Sequence, residues 1–266
     1  MNRPDPRLLL GATCLAGPIA LALLSLAWTP FAVNGLDIAH RLLPPDAAHP
    51  FGTDGFGRDL LSRSMAGLRA TIATALAATG LGAAIGIPLG ITIAASHERR
   101  SAPLRRLADL VFAFPPVLTA AMLAALWGGS AAGAVVAIGA FDVPVFARIA
   151  AAAALPVLAQ DFIAASRLAG RGPLGVLWWH ILPNIAAPLI VQASLQAGIA
   201  VLAEAGLTYL GFGLPPPAPS LGGMLKDYQS ALGAAPWLVL IPGALVTLLV
   251  LGCNLLGDGL RDRLAR

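Results

Sequence analysis

The sequence predicts an all-α, polytopic membrane protein with six spanning helices. Three observations carry that prediction. Of 266 residues, 58% are hydrophobic and only 11% charged, with a mean hydropathy of +0.80. A soluble domain carries about 25% charged residues, so this supply cannot cover the surface of a compact water-soluble enzyme or nucleic-acid-binding module. Six apolar runs, nearly free of charge, each come close to the ~20 residues that a spanning helix needs. The basic residues also fall unequally on the segments between those runs, as the positive-inside bias demands.

The first run, Leu8 to Trp28, follows Arg3 and Arg7 as a signal peptide would. Its apolar stretch is longer than an h-region, and Trp28-Thr29-Pro30 offers no small-residue cleavage site, so it reads as an uncleaved helix. The second run is Ala70 to Ser96. The third and fourth, Val111 to about Ser130 and Ala131 to about Arg148, meet at a Gly128-Gly129-Ser130 turn. The fifth is Ile185 to Ala203 and the sixth Pro236 to about Leu256. With the N-terminus inside, the inner segments hold twelve arginines (3, 7, 99, 100, 105, 106, 148, 167, 171, 261, 263 and 266). The outer segments hold Arg41, Arg58, Arg63, Arg69 and Lys226. Twelve against five places both termini in the cytoplasm. The expected organisation is one domain over 1–266: first helix and outer loop to 69, core helices over 70–257 with an inner loop at about 148–184, and a tail over 258–266.

Enzyme chemistry finds little support. There is no GxxxxGK[ST] loop to cradle phosphate. His40, His49, His97 and His180 lack zinc-like spacing. Cys14 and Cys253 both sit in apolar runs, which suggests neither a disulfide nor a metal site.

The inner loop is the most informative stretch. Asp161 to Ala169 reads as a short helix with an acid in its first turn. Phe162, Ala165 and Ala169 share one narrow face, fit to enter a groove on another protein. Arg167 and Arg171 form a basic stripe, and Gly170 and Gly172-Pro173 break the helix before Leu182-Pro183-Asn184 turns the chain back to the membrane. On local chemistry alone, a helix lying on anionic lipid headgroups explains it equally well.

Near span boundaries, Glu204 and Asp142 are costly ionisable groups and so candidates for function; the alternative is capping or tying an outer gate for Glu204, and a helix-end acid in the interface for Asp142. Gln192 and Gln196 share a face, either along a pathway or toward a partner. Gly82, Gly86 and Gly90 recur every fourth residue, as at close helix contacts. On the outer side, Asp54, Arg58, Asp59 and Arg63 make either a charged rim for a partner or the caps and braces of a short helix.

Spacing favours the protein-docking reading of the inner loop. Ala164-Ala165-Ser166, Gly170 and Ile181-Leu182-Pro183 resemble the EAA loop of bacterial ABC importer permeases. His49-Pro50-Phe51-Gly52-Thr53-Asp54 with Gly57-Arg58-Asp59-Leu60-Leu61-Ser62-Arg63 is similar to the HPFGTDxxGRDxLSR stretch of the dipeptide, oligopeptide and nickel permeases. Val143 to Arg148, Ala203 to Gly213 and Asn254 to Asp262 resemble their later segments in the same order. The resemblance, from about Thr29 onward, is to the C-type permease subunit of that class. It implies the type I ABC importer (MetI-like) transmembrane fold and a homologous second permease. It also implies two cytoplasmic ATP-binding subunits, and a periplasmic or lipid-anchored solute-binding protein. ATP and magnesium would sit in those partners, with no cofactor in this chain. The location implied is a bacterial inner membrane, with no nucleic acid bound. Asp161, Phe162, Ala164, Ala165, Ser166, Arg167, Gly170, His180, Leu182 and Pro183 would form the coupling region. The family's glutamate is Ala164 here and Ser166 replaces its second alanine, with Asp161 as partial compensation. Short peptides are the expected cargo, with nickel, opines or another small solute as the alternative. An ion-coupled secondary transporter is disfavoured by the lack of mid-membrane charge in four spans.

Overall fold

A computed structural model describes residues 6–96, 102, 103, 106, 110 and 115–264. Arg3, His97, Arg99, Arg100, Arg105, Val111 and Arg266 of the expectations above lie outside the described residues. The described residues are helical apart from loops and one isolated bridge between Thr53 and Asp59. The helices are α1 (Pro6–Leu24), α2 (Leu60–Ala95), α3 (Pro116–Trp127), α4 (Ala131–Leu158) and α5 (Asp161–Leu168). They continue with α6 (Pro173–Val176), α7 (Leu182–Tyr209), α8 (Leu221–Tyr228) and α9 (Trp237–Leu264). A π turn over Leu177–Ile181 joins α6 to α7, so Pro173–Tyr209 is one unbroken rod. That rod, α1, α2, α4 and α9 are long and apolar enough to cross a membrane, and α3 contributes a shorter apolar helix.

Local chemistry sets the helix starts. Asp59 accepts from the Ser62 N–H at 2.7 Å at the head of α2, and Ser130 and Ser220 accept from Gly133 and Gly223 at the heads of α4 and α8. Each is a short polar side chain satisfying an orphan backbone donor. Pro116 and Pro173 occupy first-turn positions, where a missing N–H costs nothing.

The long helices overrun several expected ends, α4 reaching Leu158 and α9 Leu264, and two other boundaries differ from the sequence expectation for a physical reason. α2 begins at Leu60, ten residues before the expected Ala70. Arg63 and Arg69 suggested a loop, but both are hydrogen-bonded to distant partners: the Arg69 guanidinium donates to the Ser25 carbonyl at 3.0 Å, and Arg63 is buried in the polar cap described below. Likewise Leu182-Pro183-Asn184 does not turn the chain. The return begins at Pro173, and the π turn absorbs Pro183, whose ring and missing N–H do not fit an ordinary helical turn.

The helices enclose three stacked apolar layers. The middle one packs Leu68, Ala75, Ala78, Ile138, Val201 and Leu249 from α2, α4, α7 and α9. One end is closed by Ile91, Ala150, Ala154, Ile163, Val176 and Ile185, the other by Leu60, Met224, Tyr228 and Leu238. The α2 glycines make the α2–α4 seam: a Cβ on Gly82 would overlap the Asp142 side chain, one on Gly86 the Val143 carbonyl, and one on Gly90 the Ala147 carbonyl. α1 lies against α9 in the same way through Gly11, Gly252 and Gly259, and Arg7 pairs with Asp262 at 3.0 Å at their shared end.

Candidate coupling and pathway sites

α5 buries one side chain in the end of the bundle. Ile163, 1% exposed, is its sole buried residue and enters the layer formed by Ala150, Ala154, Val176 and Ile185. Asp161, Phe162, Ala164, Ala165, Arg167 and Ala169 are all exposed, so the face predicted from Phe162, Ala165 and Ala169 is open. Leu168 is 90% exposed, a large apolar side chain facing outward beside it. The helix ends in a Schellman motif. The Arg171 N–H donates to the Ser166 carbonyl at 3.2 Å and the Gly170 N–H to Arg167 at 3.0 Å, while Gly170 takes φ +82°. That left-handed conformation is the one glycine adopts without cost.

His180 ties this helix to the rod. Its Nε2 lies 3.0 Å from Ser166 Oγ and 3.3 Å from Arg171 Nη1, and its ring is tilted against Phe162, centroids 5.8 Å apart. A guanidinium only donates, so Nε2 is the acceptor in the contact with Arg171. Asn184 Nδ2 donates to the His180 carbonyl at 2.7 Å, bracing the π turn. Ser166 thus supplies a hydroxyl to the fixture that positions α5. Leu182 packs beside the end layer, and Pro183 is exposed on the first turn of α7.

The pathway candidates separate into two groups. Asp142 on α4 accepts from Gln196 Nε2 on α7 at 2.5 Å, and Gln192 Nε2 donates to Gln196 Oε1 at 3.2 Å. This makes a polar ladder inside the apolar bundle, with Asp142 and Gln196 buried and Gln192 half-buried. Glu204 stands apart, accepting from Thr208 Oγ1 at 2.9 Å. Asp142 Oδ2 and Glu204 Oε2 have no hydrogen-bond partner among the described residues. Asp142 therefore does not pair along its own helix; its partner is 54 residues away.

The outer charges turn inward. Asp54 is fully buried and accepts from Arg58 Nε at 2.6 Å and from the Tyr228 hydroxyl at 3.0 Å. That hydroxyl in turn accepts from Arg63 Nε at 3.1 Å, and Arg63 also donates to Asn34 Oδ1 at 3.0 Å. Asp59 caps α2 and lies 2.9 Å from His49 Nδ1. The helix that Asp59 caps is the long α2 rather than a short one, and Arg58 retains a small exposed fraction of its side chain. Burial pushes the Tyr228 phenol well above its ordinary value, so it remains a hydroxyl. Sequence reasoning missed Tyr228 and Ile163. Ile163 carried a signal, as the one β-branched residue in that helix; Tyr228 carried none locally.

Comparison with known proteins agrees with this architecture. Residues 86–266 match the family model described as a binding-protein-dependent transport system inner membrane component. A dipeptide transport system permease protein, DppC, of Alkalihalophilus pseudofirmus is 38% identical over 226 residues, 85% of this chain and 74% of that protein. A di/tripeptide transport system permease protein of Pseudomonas aeruginosa is 40% identical over 213 residues, 80% and 70% of the two chains. An inward-facing structure of the MetNI methionine ABC transporter superposes with a TM-score of 0.61 at 19% identity, covering 75% of this chain and 95% of that one; at that identity the likeness is one of fold. With two thirds of its length matched, this chain belongs to the family of binding-protein-dependent transport system inner membrane components.

Proposed function

We propose that this chain is one of two permease subunits of a bacterial inner-membrane ABC importer that takes up di- and oligopeptides. The observation that carries the reading is α5: an exposed, small-residue helix fixed to the bundle by Ile163 and His180. Seated in a groove of an ATP-binding subunit, α5 transmits the closure of two such subunits. Ile163 passes the push to the inner ends of α4 and α7, and the glycine-tight α2–α4 seam carries it as a rigid body. The two permeases then rock between inward- and outward-facing states. ATP and magnesium belong to the ATP-binding subunits, and the N-terminus is cytoplasmic by the distribution of arginines.

A homologous second permease completes the pathway, which we assign to the Asp142–Gln196–Gln192 ladder with Glu204 nearer the outer end. A solute-binding protein delivers cargo to the outer face. Peptide as cargo is supported by the names of the two relatives above.

The test uses the assembled transporter. Ala165→Trp and Gly170→Val are each expected to abolish co-purification of the ATP-binding subunits and to lower uptake of a labelled tripeptide into membrane vesicles at least tenfold. Normal subunit recovery and uptake in both variants sinks the coupling assignment. Uptake of labelled nickel, with no tripeptide uptake, would keep the permease and replace its cargo.

A further inference from the structure

The corner between α5 and α6 faces the last turns of α2 across a cleft of about 490 Å³. Arg167 and Arg171 line it, together with Thr92 and Ser96, and among the described residues no acidic residue does. Neither arginine meets a carboxylate among the described residues; the Arg171 guanidinium is oriented by His180 at 3.3 Å. Pro88, Ile91 and Leu177 are shared with a second, wholly apolar cleft of about 190 Å³ that continues along α2 past Ala84 and Ile87 to Trp178. The two clefts therefore form one groove, cationic at one end and greasy at the other. Trp178 and Trp179 are both largely exposed at this level, as tryptophans are where a membrane meets water.

We propose that this groove holds one anionic phospholipid, its phosphate clamped by Arg167 and Arg171 and one acyl chain laid along α2 beside Trp178. Charge complementarity fixes the head: guanidinium forks match phosphate oxygens and keep their charge. The apolar arm fixes the tail, because it runs along α2 away from α5, where a water-soluble partner does not reach. The lipid thereby wedges the inner end of α2 against the α5–α6 corner. It is a component of the fixture that holds the coupling helix. The site requires only that the chain lies in a membrane, so it stands or falls separately from the identity of the cargo.

Native mass spectrometry of the purified transporter, with dioleoyl phosphatidylglycerol or dioleoyl phosphatidylcholine added, reads the site directly. Wild type is expected to retain one phosphatidylglycerol per copy of this chain and to release phosphatidylcholine. Arg171→Gln, an exposed substitution, should weaken retention by about tenfold, as one lost charge-assisted contact implies. Ala84→Trp, which fills the apolar arm from an exposed position and keeps both arginines, should weaken it similarly. Glycerol 3-phosphate, which has the head without the tail, should not compete. Equal retention of both lipids, or unchanged retention in both variants, overturns the proposal. So does competition by glycerol 3-phosphate, which marks a free-phosphate site. Loss of the ATP-binding subunits from Arg171→Gln with lipid retention intact overturns it too, and assigns the arginines to a protein contact.

Discussion

The hydroxyl of Tyr228 stands between opposite charges, donating to Asp54 and accepting from Arg63. Tyr228→Phe removes both contacts from buried ions, and thermal unfolding of the detergent-purified protein should show a loss of about 1–3 kcal/mol. The same residue sets an alkaline limit. Its phenol is raised in the folded chain, so the cap's full stability is present below the ordinary tyrosine value of about 10 and is lost as pH rises above it. Between pH 8 and 11, wild type should lose melting temperature more steeply than Tyr228→Phe; parallel slopes would refute the assignment. Asp142 offers a second single-residue test. Gln196→Met strips the hydrogen bond to Asp142 and should cost about 1–3 kcal/mol, whereas Asp142→Ala with Gln196→Met should recover part of that loss. The pairing was not legible in the sequence. Gln192 and Gln196 visibly share a face, but their carboxylate partner lies on another helix, and nothing local to Asp142 points there.

At the scale of the helix, the glycines of α2 act as a seam. Gly86→Val would drive a side chain into the Val143 carbonyl and Phe146, and overpacking of this kind costs about 1–3 kcal/mol. Gly80, one turn and a half away, has open space at its Cβ position, so Gly80→Val should leave the melting temperature close to wild type. Equal damage at both positions would mean that propensity, not packing, is measured. The four-residue spacing made this seam legible, and so did the bounds of α5, with an acid at its start and Gly170 past its end. The ten extra residues of α2 were hidden because Arg63 and Arg69 look like loop residues until their partners are known. Those partners lie between 29 and 165 residues away. The π turn was equally hidden, since Pro183 read naturally as a chain reversal.

Across the whole molecule, the three apolar layers separate the two kinds of chemistry: a polar cap on one end, and on the other the short helix α5, which exposes almost everything it has. The bounds of α5 were legible because its residues are contiguous. The cap and the ladder join distant segments, and only the fold brings them together. The contact of α1 with α9 has a consequence for how the chain is made. Arg7 and Asp262 are 255 positions apart, and the glycine surfaces between their helices meet only after the last helix has left the ribosome. Helix α1, which also touches α2, must therefore wait in the bilayer without its α9 partner for nearly the entire period of synthesis. A chain stopped before Trp237 should leave Gly11 and its neighbours uncovered, and pulse-chase labelling should find it degraded faster than full-length protein. Equal lifetimes would show that α1 finds its place unaided. If the difference is seen, closure of the first helix on the last is the step by which a cell can tell a finished transporter from an interrupted one.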